Sequence, residues 1–323
     1  MDNKITPIFI FSLPRAGSTL LQRILMSHPN IASTTEPWLL LPFIYSFREE
    51  GILTEYSHST CKVALDDFIK NLPNGYNDIY QAIRELAFKL YHLQCKNEEK
   101  YFLDKSPRYY LIIPEIKRIF PDAKYIFLFR NIAQVYSSIV STWGNGRLNR
   151  FFLNYVDLIK GPELLSQGYE LLKDDAYALQ YEDLVKNPEK YITELCDYLD
   201  LNYTNELHND FIKQKLSGRL GDPIGVNQYK EINDSPLKKW ESFYNTTIKK
   251  KIVMHYVKSI DDRVFNIQGY CKQSLLHQIQ KIRVKKFGIA DCFDWLQSML
   301  IIRLNLNIFI SKYKSWTKNI YLD

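Results

Sequence analysis

Arg15, Gly17, Ser18 and Thr19 crowd into one short segment, Ser12-Leu-Pro-Arg-Ala-Gly-Ser-Thr19, directly after the apolar run Pro7-Ile-Phe-Ile-Phe11. A buried strand that feeds a helix through such a segment presents backbone N–H groups and the positive end of the helix dipole, and both favour a bound phosphate or sulfate. Gly17 lets the backbone approach an anion closely. The guanidinium of Arg15, the hydroxyls of Ser18 and Thr19 and the amides from Ala16 to Thr19 add donors aimed at the same place. Against the triphosphatase loop G-x-x-x-x-G-K-S/T, Ser12 stands at the first glycine and Ser18 at the lysine. The missing lysine is the charge that holds the β- and γ-phosphates. An ATPase or GTPase is therefore disfavoured, while an anion site stays open beside the plainer reading of a strand-to-helix turn with a surface arginine.

A second constellation is Phe129-Arg130-Asn-Ile-Ala-Gln-Val-Tyr-Ser-Ser138. Arg130 ends a predicted strand, where its fork suits a phosphate, and Ser138 lies two turns into the following helix, with Ser137 as the neighbouring alternative. The six histidines and five cysteines are scattered, without ligand spacing, so no metal is expected.

Together these segments resemble sulfotransferases that use 3′-phosphoadenosine 5′-phosphosulfate (PAPS). Pro14-Arg-Ala-Gly-Ser-Thr-Leu20 resembles their 5′-phosphosulfate loop, and Arg130 with Ser138 their 3′-phosphate element, nearest to the tyrosylprotein and bacterial branch. Tyr181-Glu-Asp-Leu184 is similar to the segment whose tyrosine lies against the nucleotide. Pro236-Leu-Lys-Lys239-Trp240 is similar to the late basic-Trp element that closes over PAPS after a mobile loop, here at 221–231.

The resemblance further implies that Glu36, in Thr35-Glu36-Pro37 after His28-Pro29, is the base for an acceptor hydroxyl. It implies that Lys105, in Asp104-Lys105-Ser106-Pro107, serves the bridging oxygen, and that Arg15 and the loop amides stabilise the transferring group during in-line displacement. The bland alternatives are a solvated loop glutamate and a surface lysine. Ser33 and Leu103 stand where the lumenal tyrosylprotein enzymes carry disulfide-type cysteines, so a glycan, lipid or small-molecule hydroxyl is expected ahead of peptidyl tyrosine. A small-molecule kinase of P-loop type and a non-catalytic nucleotide-binding protein are the competing functional classes.

These side chains need a scaffold, and the chain alternates short β-branched and aromatic runs with helical patterns, as in an α/β parallel sheet. Strands are expected at 7–12, 124–130, 101–103 and 177–180. Helices are expected from residue 20 to His28-Pro29, at 63–71, 79–95, 111–120, 132–142 and 191–199, and as one long segment at 237–259, with a loop at 217–225. The expected fold is a P-loop-containing three-layer sandwich with a central parallel sheet over residues 1–271, followed by a basic helical tail at 272–323.

Charge supports that parsing. The net +6 arises from 42 basic and 36 acidic residues, but nine basic and three acidic residues lie after residue 271, leaving the first 271 residues neutral. A nucleic-acid binder would spread positive charge over its body, so none is expected as a partner. In the tail, Leu275, Leu276, Ile279 and Ile282 suggest one amphipathic helix, and Phe293, Trp295, Leu296, Met299 and Leu300 a second. Such helices cover their own core or a second subunit in a homodimer, or lie on an anionic membrane surface. The odd, unpaired cysteines and the short N-terminal apolar run fit a reducing, cytoplasmic location, with a peripheral position at the inner membrane surface left open by the tail.

Overall fold

The apolar run near the N-terminus forms the central strand of a five-stranded sheet in the computed structural model, which describes residues 5–204, 207, 210–214, 232 and 234–306. The strands are β1 (Thr6–Ser12), β2 (Ile31–Ser33), β3 (Tyr101–Asp104), β4 (Lys124–Phe129) and β5 (Ala176–Gln180), in the order β2-β3-β1-β4-β5. Every pairing is parallel. The sheet is the one the alternation of strands and helices predicts, with β2 as an addition.

Two compact units are present. The first holds residues 1–129 and 167–233, and with them all five strands; the second holds 130–166 and 234–323. In the first, alternation along β1 and β4 sends Phe9, Phe11, Tyr125 and Phe127 to one face of the sheet and Ile8, Ile10, Ile126 and Leu128 to the other. All eight are buried, which is why these strands read as unbroken apolar runs. The aromatic face is a continuous ring cluster: Phe9 lies 5.3 Å from Phe120, and Phe127 lies 5.3 Å from Tyr169.

The helices of this unit are α1 (Ser18–Leu25), α2 (Leu40–Tyr45), α3 (His58–Lys70), α4 (Tyr76–Gln94) and α5 (Ile113–Ile119). After α6 (Ile132–Trp143), which belongs to the second unit, come α7 (Gly161–Leu172), which is divided between the units after Ser166, α8 (Tyr181–Lys186) and α9 (Pro188–Tyr198). The chain leaves β1 through α1 toward β2 and leaves β3 through α5 toward β4, in opposite directions across the sheet. Right-handed crossovers then put α1 and α5 on opposite faces, giving helix, sheet and helix layers. Helix α1 is shorter than its pattern predicts: Met26 already caps it, ahead of His28-Pro29.

The second unit contains α10 (Ser235–Phe243), α11 (Thr247–Ser259), α12 (Asp262–Ile267), α13 (Lys272–Lys281) and α14 (Ile289–Arg303). The single helix expected at 237–259 is two. Thr246 takes extended backbone and its side chain accepts the Lys249 N–H, so a new N-cap interrupts the apolar periodicity. Tyr136, Tyr244 and Tyr256 are buried around this unit's core, where Tyr244 donates to the carbonyl of Ala133 at 2.6 Å and Tyr256 to that of Leu158 at 2.7 Å. The glycine-rich loop at 217–225 and the segment at 221–231 lie outside the described residues.

Candidate active site

The register of the sheet determines which loops can meet. Ser33 of β2 pairs with Leu103 of β3, and β3 in turn flanks β1, so the carboxyl ends of β2, β3 and β1 stand side by side. Open parallel sheets bind ligands at that end. The loop after β1 carries Arg15 with φ 67° and Gly17 with φ 101°, two left-handed residues on either side of Ala16. Such conformations turn successive N–H groups inward, and a non-glycine residue holds one only when its surroundings compel it.

Gly17 is fixed by space as well as by φ. A Cβ there would overlap Cδ2 of Tyr181, the fully buried first residue of α8. The Tyr181 ring thus backs the loop. Gly17 caps α1, whose first turn holds no acidic residue, so the dipole's positive end meets no internal counter-charge there. Ala16, Ser18 and Thr19 are buried and Arg15 is half-buried. Ser12 Oγ is buried at the start of the loop with no hydrogen-bond partner among the described residues. The Ala16 N–H is taken by the Leu13 carbonyl at 3.2 Å, so the Ser12 hydroxyl, the helix terminus and the amides from Gly17 to Thr19 are what remain as a donor set suited to an anion and unsuited to a cation.

Lys105 follows β3 directly and is only 1% exposed. Its Nζ donates to Glu36 Oε1 at 2.8 Å and lies 3.5 Å from Thr19 Oγ1, so one buried cation spans from the carboxylate to the anion loop. Glu36 holds its other oxygen, Oε2, against the indole N–H of Trp38 at 3.3 Å. Neither contact exhausts the carboxylate, whose two oxygens offer about four lone-pair sites. The solvated-loop and surface-lysine readings are both excluded by these distances and by the burial.

Residues to which the sequence assigns no such role hold the pair in position. Gln22, fully buried on α1, donates from Nε2 to Ser33 Oγ at 2.8 Å and to the Thr34 carbonyl at 2.6 Å, pinning the strand-to-Glu36 segment. Ser33 Oγ also donates to the Leu103 carbonyl at 2.9 Å. Asp104, fully buried, accepts from Tyr91 at 2.5 Å, from Tyr109 at 2.9 Å and from Ser106 at 3.4 Å. Ser106 Oγ in turn accepts the Trp38 N–H at 2.9 Å. Burial pushes the Asp104 carboxyl up from 3.8 to about 6, with the hydroxyl hydrogen bonds and the Lys105 charge pulling back. Burial likewise holds both tyrosine hydroxyls well above their ordinary value.

Arg130, Ser138 and Lys239 belong to the second unit. Arg130 directly follows β4, is 8% exposed and donates from Nε to Gln134 Oε1 at 3.2 Å on the next helix. Ser138 is half-buried on α6, and the alternative Ser137 is buried with its hydroxyl on the Gln134 carbonyl. Lys239 is exposed on α10, beside the buried Trp240. Among the described residues no cluster of His, Cys, Asp and Glu could hold a metal ion.

Residues 7–205 match the family model described as the sulfotransferase family. The nodulation protein NoeE of Sinorhizobium fredii is 28% identical over 148 residues, which is 45% of this chain and 34% of that protein. The chain therefore matches only about a third of that relative's length. A putative protein-tyrosine sulfotransferase of Caenorhabditis briggsae is 25% identical over 256 residues, covering 75% of this chain and 84% of the relative. Among solved structures, the sulfotransferase domain from the curacin biosynthetic pathway shares 24% identity at a TM-score of 0.49, over 74% of this chain and 91% of that one.

Proposed function

Because the chain belongs to the sulfotransferase family, we propose that it moves a sulfuryl group from PAPS to the hydroxyl of an acceptor by in-line displacement. The observation that carries the reading is Lys105, a buried cation held between the Glu36 carboxylate and the hydroxyl of Thr19. That geometry supports a proton acceptor and an anion cradle joined by one positive charge.

PAPS supplies the activated sulfur–oxygen bond, and the protein supplies position and charge. The residues that would hold its 5′-phosphosulfate are Arg15, Ser18, Thr19 and the amides from Gly17 to Thr19, the Ala16 N–H being held by the Leu13 carbonyl. The roles of Arg130 and Ser138 at the 3′-phosphate, of Lys239 in the element that closes over PAPS and of Tyr181 against the nucleotide rest on the resemblance of their segments. Glu36 takes the acceptor's proton on a lone pair not used by Lys105 or Trp38, while Lys105 and Arg15 meet the negative charge that moves onto the bridging oxygen. Adenosine 3′,5′-bisphosphate and the sulfated acceptor are the products, so atoms and charge balance without a further reactant. The absent cysteines at Ser33 and Leu103 favour a glycan, lipid or small-molecule acceptor, and the reducing cytoplasm is the location that suits the unpaired thiols.

Glu36→Gln tests the mechanism. The variant should bind adenosine 3′,5′-bisphosphate as the parent does, read by calorimetry, and lose at least a hundredfold in sulfuryl transfer from labelled PAPS. An equally active variant removes Glu36 from the chemistry. Thermal shift by ATP with magnesium but not by the bisphosphate would favour a kinase instead.

A further inference from the structure

Helix α14 turns polar side chains inward and apolar ones outward. Its polar side chains Asp294 and Ser298 are buried, at 5% and 0% exposure, whereas Ile289, Phe293, Leu296, Leu300 and Leu304 are 55–69% exposed. Spacings of three and four residues put those five on a single stripe, which Leu304 carries just past the helix end. The inward face is tied down by polar bonds. Asp294 takes a two-pronged ion pair from Arg147, at 2.7 and 3.1 Å, and Ser298 donates to the Leu148 carbonyl at 2.9 Å. Trp295 packs 4.9 Å from Phe151 beside them. The helix is thus anchored by the side that water would normally solvate and presents the side that water normally excludes. A contiguous exposed stripe of this kind marks an interaction surface.

Charge identifies the partner. The link into α14 is Arg283-Val-Lys285-Lys286-Phe287, with all three basic side chains exposed, Phe287 58% exposed and Val284 41% exposed. Arg303 is exposed at the far end of the helix. The acidic residues of the helix are consumed internally: Asp294 by Arg147, and Asp291 by the Thr246 hydroxyl at 2.7 Å and Lys249 at 3.7 Å. The surface is therefore apolar at its centre and cationic at both ends. A second copy of the chain, related by a twofold axis, would bring those cations onto cations. An acyl boundary under anionic headgroups complements both features at once.

We propose that α14 and the preceding basic link form a docking surface for an anionic lipid bilayer, with the helix lying in the plane of the interface. The inference is independent of which group the enzyme transfers. Among the described residues no helix is long and apolar enough to cross a membrane, so the contact is peripheral.

Co-sedimentation of the full chain with phosphatidylcholine vesicles, with and without phosphatidylglycerol, tests the proposal. Binding should require the anionic lipid and weaken as salt is raised. It should fall about fivefold for each lysine removed in Lys285→Ala and Lys286→Ala, and be lost in Phe293→Ser/Leu296→Ser. These positions are exposed, so an unchanged melting temperature checks that the variants fold, and the parent chain on the two vesicle types gives an answer without any variant. Equal sedimentation with both vesicles or with neither overturns the proposal. So does a dimer in sedimentation velocity that Leu296→Ser dissociates while the parent ignores anionic vesicles.

Discussion

Replacing Asp104 by Asn isolates the cost of holding an ionised carboxylate where no water reaches it. The carboxyl titrates at about 6 in the folded chain and at 3.8 when solvated, with burial as the leading cause. Below 3.8 both states are protonated. Between the two values the unfolded chain has released its proton while the folded chain keeps it, so the folded state binds more protons and stability falls as pH rises; above 6 the loss is complete. At 1.36 kcal/mol per pH unit the full loss is roughly 3 kcal/mol, and the part falling between pH 4.5 and 7 is about 2 kcal/mol.

The substituted amide cannot titrate, yet it can keep the network. Its single oxygen can accept from Tyr91 and Tyr109, which both address Oδ2 of the aspartate, and its NH₂ group can face Ser106 Oγ. Urea unfolding of parent and variant in the same buffers, subtracted at each pH, cancels every other titrating group. The stability of Asp104→Asn relative to the parent should rise by about 2 kcal/mol from pH 4.5 to 7. A difference that stays flat across that range refutes the reasoning, because it would mean the carboxyl titrates alike in both states.

Three further changes probe the site and its support. Lys105→Met keeps the stem but leaves the Glu36 carboxylate without its cation; we expect a loss of about 3 kcal/mol in urea unfolding and at least a hundredfold loss in kcat. Gly17→Ala forces a methyl toward the Tyr181 ring at a φ that L-residues rarely adopt, so bisphosphate affinity by calorimetry should drop about tenfold or more as the loop shifts. Gly168→Ala on α7 would press on Cδ1 of Ile113; the melting temperature should fall in line with about 1–3 kcal/mol of overpacking, and Ile113→Val in the same chain should restore part of it.

Much of the scaffold is legible because β1 and β4 are buried on both faces, so their residue types alone betray them. Strand β2 is not, since three residues, Ile31–Ser33, become a strand only through pairing with β3. The break at Thr246 hides behind an apolar periodicity that continues on either side of it. The loop after β1 and, in the second unit, Arg130 each carry local signatures, and Glu36 and Lys105 are approached through neighbouring motifs. Gln22 has no such signal, and Asp104, though it stands in the Lys105 motif, has none that gives it a role. A glutamine on a short helix reads as a solvent-facing residue, and the partners that give Asp104 its meaning, Tyr91 and Tyr109, come from α4 and from the turn before α5. Long-range burial of polar groups is a tertiary fact, invisible to any window of sequence.

The immobility of Lys105 has one more consequence. A lysine that reaches for a ligand from solvent must give up most of its rotamer freedom on contact, of the order of 1.5–2 kcal/mol at room temperature. Lys105 is 1% exposed and already bonded to Glu36, so it has given up that entropy during folding. Its cation is preorganised, and the free energy gained when negative charge develops beside it is not diminished by ordering the side chain at that moment.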